Sequence, residues 1–348
     1  HVRKRLPKCL KEHGLPWSAR ARCYLSFLHY RMVIVWTDKA ANNLAFICRR
    51  WYSGRISREL NDPKGAYRLI DKTVETVDSV LKRHGDFLKK FDLQGKSRLG
   101  FVYLAPKFHK DGQRFIAAMR NCSTTPCSVF LSGALNFVLS TLEEKDDALI
   151  LASGIRRFFV VGGYESVADF FGKWPRTKTL TDRSLYTGDF STMYTTIPLK
   201  SLVDEVGKAI IEAWGWVAES QLDCDPERVG LRSNRNRTGK EDGWEWIKLS
   251  PRAKAGKVEK KTRITTLSEL LDLVEFLVLN TYVLNGGILR KQTTGLPMGT
   301  NAAPPLANLY LYRFESNFID RARHLKGDAF AHHFHLSFRL IDDVLAVD

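Results

Sequence analysis

The chain has 348 residues, enough for two or three compact units with their own cores. With 44% hydrophobic and 26% charged residues its composition is globular, which excludes fibrous and disordered classes. The formal net charge of +16 attracts phosphate backbones, although a basic but uninvolved surface would have the same composition.

Six cysteines (Cys9, Cys23, Cys48, Cys122, Cys127, Cys224) form no CxxC pair and no Cys/His cluster of zinc spacing. That usage suits free, mostly buried thiols in a reducing intracellular compartment; a Cys122–Cys127 disulfide stays open. His1-Val2-Arg3-Lys4 leads into polar sequence, so no signal peptide is read. No uninterrupted apolar run has bilayer-spanning length, and no membrane partner is expected. The chain starts without Met and stops after an acidic motif, as an excised segment would.

In chain order, residues 1–30 are basic and read equally as a nucleic-acid arm or a solvated terminus. The runs VIVW and LAFIC predict strands, and Ala66 to Phe91 predicts a helix, so an α+β or α/β body is expected. Next, FVYLAPKFHK runs through Asp111-Gly112 into QRFIAAM, a two-residue hairpin signal. This register sets Lys107 opposite Ile116 and places Lys107, His109 and Arg114 on one face. Such cations suit either a triphosphate clamp or the solubilising charge of a surface hairpin.

The segment SLYTGDFSTMYTTIP is a β-prone run ending on Asp189, with a helix expected from Leu199. A lone strand-end Asp is also an ordinary cap or turn residue. Residues 218–262, most polar from Cys224 to Lys261, read as a long basic insertion, either solvated or touching nucleic acid. Thr266-x-x-Glu269 has capping-box form and predicts a helix to about Tyr282. QTTGLPMGTNAAPPLAN is a glycine-framed turn into a helix, with Thr300 or Asn301 as cap and the prolines in the first turn. There Gly295 and Gly299 would let backbone approach a flat ligand. Finally, FHLSFRLI-Asp342-Asp343-VLAVD places two acids at a tight turn between antiparallel strands. Adjacent carboxylates repel, a conflict that an oxygen-ligated divalent cation removes.

In combination these segments resemble motifs of reverse transcriptases. DFSTMYTTIP, TGLPMGTNAAPPLANLYLY and FRLIDDVLAVD look like motifs A, B and C, and YLAPKFHKDGQRFIA with NCSTTP looks like motifs 1 and 2. With TDKAANNLAFICRRWY, the wording is nearest to Penelope-like retroelement enzymes and their telomerase-related kin. The resemblance implies an α+β right-hand polymerase: fingers over 31–183 and a palm over 184–348, a small antiparallel sheet backed by helices. The thumb and motif D would lie beyond this segment.

It further implies that Asp189, Asp342 and Asp343, with the carbonyl of Phe190, hold two Mg2+ ions, Mn2+ being able to substitute. Lys107 and Arg114 would hold the triphosphate. Tyr194 would exclude a ribose 2′ hydroxyl. Gln292, Gly295, Pro297, Met298 and Gly299 would line the nucleotide. The implied partners are an RNA template, a DNA primer and dNTPs, with a nuclear or otherwise cytoplasmic location. Competing readings are a reverse-transcriptase-fold RNA-binding protein without polymerase activity and a metal nuclease. The family's aromatic two residues before the acidic pair is replaced by Leu340.

Overall fold

The structure, a computed structural model, describes residues 18–38, 43–107, 112–172, 184–190, 192–235, 241–249, 262–296 and 299–347. The chain forms two units. One is His1–Asp62 with Tyr103–Phe115; the other is Pro63–Val102 with Ile116–Asp348. The fingers–palm boundary expected at 183/184 falls inside the second unit.

In the first unit, helix α1 (Ala19–Arg31) starts where the Ser18 hydroxyl accepts the Ala21 N–H at 3.1 Å. Strands β1 (Met32–Trp36) and β2 (Leu44–Cys48) pair antiparallel, as their apolar runs predict. One face buries Val35 against Ala45; the other leaves Ile34, Trp36, Leu44 and Phe46 exposed. Helix α2 (Arg49–Asn61) buries Ile56 and Leu60.

The second unit opens with β3 (Tyr67–Leu69) and α3 (Val77–Lys89). The helix expected from Ala66 therefore starts later. The Asp71 carboxylate accepts the Thr73 N–H at 2.9 Å in a local turn, and a Thr76–Ser79 capping box sets the true start. Strands β4 (Gly100–Pro106) and β5 (Gln113–Ala118) follow, each divided between the two units, then the 29-residue helix α4 (Thr125–Ser153) and α5 (Tyr164–Gly172). Next come β6 (Leu185–Asp189), the single turn α6 (Met193–Thr196) and α7 (Leu199–Val217). After β7 (Val229–Arg235), β8 (Glu241–Lys248) and β9 (Thr262–Thr266), helix α8 (Leu267–Leu279) has the expected Thr266–Glu269 capping box. The chain closes with β10 (Tyr282–Asn285), β11 (Ile288–Gln292), α9 (Ala303–Lys326), α10 (Asp328–His332), β12 (Ser337–Leu340) and β13 (Asp343–Val347).

Three sheets belong wholly or mainly to this unit: β3-β11-β10-β4-β5, β12-β13-β6 and β8-β7-β9. Its main core is helical, with Leu131, Leu135, Leu202, Ile210, Trp214, Leu273 and Leu306 buried between α4, α7, α8 and α9. Helix α4 is long and apolar enough to cross a membrane by length and composition, contrary to the sequence expectation. Here it is a core helix, with eleven of its residues buried.

The insertion read over 218–262 carries regular structure. Among its described residues are β7 and β8, which with β9 form an antiparallel sheet. Two tryptophans dock it. Trp246 meets Trp214 edge-on at 4.4 Å and donates Nε1–H to Thr141 Oγ1 at 2.9 Å, while Trp244 packs on Phe130 at 5.5 Å. Gly133 of α4 makes room, since a Cβ there would stand 2.7 Å from Trp244. The five described cysteines are free; Cys122 and Cys127 are buried, whereas Cys23 and Cys48 are exposed.

Candidate active site

The acidic residues are brought together by strand pairing. Asp189 ends β6 directly opposite Asp343 of β13. Leu340 stands opposite Asp343, so β12 and β13 are joined by the two-residue turn Ile341-Asp342. The Phe190 N–H donates to the Asp342 carbonyl at 2.9 Å and ties the two segments. Ile341 adopts φ 60°, a left-handed conformation that costs a β-branched residue about 1–3 kcal/mol. Strain is thus stored at the residue that aims Asp342.

Asp189, Phe190 and Asp343 are exposed and Asp342 is half-buried. Among the described residues, no ion pair or hydrogen bond engages the three carboxylates. Nor do three acidic, imidazole or thiol side chains close into a metal cage. An open, oxygen-only donor set fits Mg2+, which keeps water and substrate phosphate ligands and seldom uses an all-protein cage.

Beside Asp189 lies a cleft of about 450 Å³, lined by Phe190, Thr192, Thr196, Pro198 and Tyr310 among others. Tyr310, on α9, carries no functional signal in the sequence, because its helical phase relative to Asp189 exists only in the fold. The Tyr194 side chain is half-buried and packs against the main core.

The glycine-framed loop zips onto the segment after Asp189. Gly295 N–H donates to Ile197 O and Leu296 N–H to Tyr194 O, both at 2.7 Å. Gly295 has φ 76° and its missing Cβ would stand 2.4 Å from Tyr194 O. Gly299, with φ 117°, faces Ala117 O in the same way at 2.2 Å. Both glycines therefore admit protein backbone, where a flat ligand was expected. Gln292 is buried, and its amide donates to Thr294 O at 3.1 Å and Gly295 O at 2.8 Å. It braces the loop from inside instead of presenting a nucleotide contact. Pro297 and Met298 lie outside the described residues. The α9 cap differs from expectation too: Ser128 Oγ accepts the Ala302 N–H at 3.2 Å, and Thr300 hydrogen-bonds Ser128 at 2.5 Å.

The predicted clamp belongs to the first unit. Lys107 N–H donates to Gly112 O at 3.1 Å, a different register from the one a two-residue Asp111-Gly112 turn sets; residues 108–111 lie outside the described residues. Lys107 faces Gly112 in place of Ile116. The shift is even, so Lys107 and Arg114 still share a face; His109 lies outside the described residues. Sequence reasoning missed Asp38, whose carboxylate, 5% exposed, pairs with Arg114 at 3.1 Å.

These features define a mixed α+β fold with several small sheets, in which an acidic strand end meets an acidic hairpin. No family model and no curated protein matches the chain. Its fold is similar to solved telomerase structures. For telomerase from Candida albicans in complex with a TWJ fragment of telomeric RNA, the TM-score is 0.57 at 14% identity, covering 95% of this chain and 47% of that one. For telomerase from Candida tropicalis with the same type of RNA fragment the values are 0.55, 13%, 92% and 43%. For apo telomerase from Candida tropicalis they are 0.54, 13%, 92% and 48%. The chain spans just under half the length of these structures, and at such identities the likeness is one of fold.

Proposed function

We propose that this chain comprises the fingers and palm of an RNA-directed DNA polymerase of the Penelope-like, telomerase-related group, working on an RNA template, a DNA primer and dNTPs. The observation that carries the reading is the meeting of Asp189 with Asp342-Asp343 at one sheet end, within a telomerase-like fold. Divalent cations held by these carboxylates and the Phe190 carbonyl would stabilise charge on the attacking and leaving oxygens of nucleotidyl transfer. Lys107 and Arg114 supply the cations for a triphosphate, Arg114 being oriented by Asp38. Tyr194 limits the space at the sugar. Gly295 and Leu296, bonded to Ile197 and Tyr194, would support the base pair from beneath through the segment after Asp189.

Template-directed incorporation of dNTPs in Mg2+ is the test. Extension that needs both template and Mg2+ supports the reading. Binding of RNA–DNA duplex with no incorporation would assign the chain to a non-polymerising RNA-binding descendant of the fold.

A further inference from the structure

Arg339, in β12, is among the largest fully buried side chains, at 1% exposure. An unpaired buried cation would be costly, yet all five guanidinium N–H groups have acceptors. Nε and Nη2 grip the Glu315 carboxylate at 2.5 and 3.1 Å. Nη1 donates to Asn308 Oδ1 at 2.8 Å and Nη2 to the Asn308 carbonyl at 3.2 Å. The last donor, on Nη1, reaches the Ile341 carbonyl at 3.0 Å. The Arg339 backbone is pinned as well: its N–H donates to Phe159 O at 2.7 Å and its carbonyl accepts from Val161 at 2.9 Å.

The Ile341 carbonyl belongs to the peptide that enters Asp342. Fixing it fixes the plane from which that carboxylate departs. The next carbonyl, that of Asp342, is held by Phe190 N–H. Asp342 thus sits between two anchored peptides, after an isoleucine in a conformation it would leave if released.

We propose that Arg339 is a positioning residue: anchored by Asn308 and Glu315 of α9, it holds the strained Ile341 turn and so aims Asp342 and Asp343. The inference rests on the polymerase reading of that site. It couples the glycine-framed helix to the acidic hairpin through one side chain. Lysine keeps the charge but lacks the planar fork, so it cannot bond Glu315, Asn308 and Ile341 together.

The test compares Arg339→Lys, Asn308→Ala and the remote core variant Leu135→Ala with wild type, by Mn2+ titration under electron paramagnetic resonance and by single-turnover primer extension. Outer partners of metal ligands commonly contribute about 10–100-fold in affinity or rate. Arg339→Lys should lose a factor in that range in both Mn2+ affinity and maximal extension rate, with duplex affinity unchanged and part of the rate recovered at high Mn2+. Asn308→Ala, which removes one acceptor of five, should show a smaller loss of the same pattern, and decides the matter if Arg339→Lys does not fold. Leu135→Ala should lose stability and keep Mn2+ affinity. Unchanged Mn2+ binding in folded Arg339→Lys and Asn308→Ala, or an equal loss in Leu135→Ala, overturns the positioning role alone. A wild type that binds no Mn2+ and extends no primer overturns the polymerase reading and this inference with it.

Discussion

Replacing Gly295 by alanine perturbs the seam between the segment after Asp189 and the glycine-framed loop. The φ of 76° costs an L-residue roughly 1–2 kcal/mol. The new Cβ would lie 2.4 Å from Tyr194 O and 2.8 Å from Thr195 Cα, so backbone must move. Movement endangers two hydrogen bonds, Gly295 N–H to Ile197 O and Leu296 N–H to Tyr194 O. Each contributes about 0.5–1.5 kcal/mol net. Gly295→Ala should therefore destabilise by about 2–5 kcal/mol. Gly286 separates the two contributions, because its φ is 58° but nothing lies within 4 Å of its Cβ position. Gly286→Ala should cost only the conformational part, about 1–2 kcal/mol. Urea unfolding of both variants at one pH measures the difference. Equal losses would refute the backbone-contact argument and leave φ as the whole effect.

Lys107→Ala and Arg114→Ala should each raise the dNTP KM by roughly 10–100-fold, from a charge-assisted contact of about 1.5–3 kcal/mol, while duplex affinity holds; steady-state kinetics with a binding assay checks this. Tyr194→Ala should admit ribonucleotides, with discrimination falling by tens of fold or more, where each ~1.36 kcal/mol is tenfold; competing dNTP and rNTP incorporation decides, and unchanged selectivity in an active variant contradicts the placement. His84 is buried beside Arg83 with Nδ1 2.8 Å from Ser123 Oγ, and burial lowers its pKa from 6.5 to about 4. The unfolded chain then takes up this proton first, so stability should fall as pH drops from 6.5 to about 4, by up to about 3 kcal/mol. Urea midpoints across that window should slope in wild type and flatten in His84→Gln.

Elements whose hydrophobic period matched their length were legible in the sequence: β1, β2, β6 and α7 stand close to expectation, and the Thr266–Glu269 box starts α8 as read. The acidic hairpin was legible because its turn is local. What failed depended on distant partners. Trp244 and Trp246 look like part of a charged loop until Trp214, Phe130 and Gly133 receive them. Gly295 and Gly299 signalled a close approach, but only the fold says that Tyr194 and Ala117 are what approaches. Gln292 and Arg339 are polar residues on strands, and their burial is set by α9 and the loop they brace. The Asp111-Gly112 signal paired β4 with β5 as expected but in another register, since Lys107 meets Gly112, because turn propensity fixes location better than register.

In the proposed polymerase, Asp189, Asp342 and Asp343 form the chemical centre. Primer extension on an RNA template with Mg2+ and dNTPs, comparing wild type with Asp342→Ala of matched melting temperature and duplex affinity, tests it most directly. Templated extension by wild type and none above background by the variant is the expected result, since the Asp342 carboxylate, half-buried at a turn and without a hydrogen bond or ion pair among the described residues, contributes to chemistry and not to packing. Substantial extension by Asp342→Ala would contradict it.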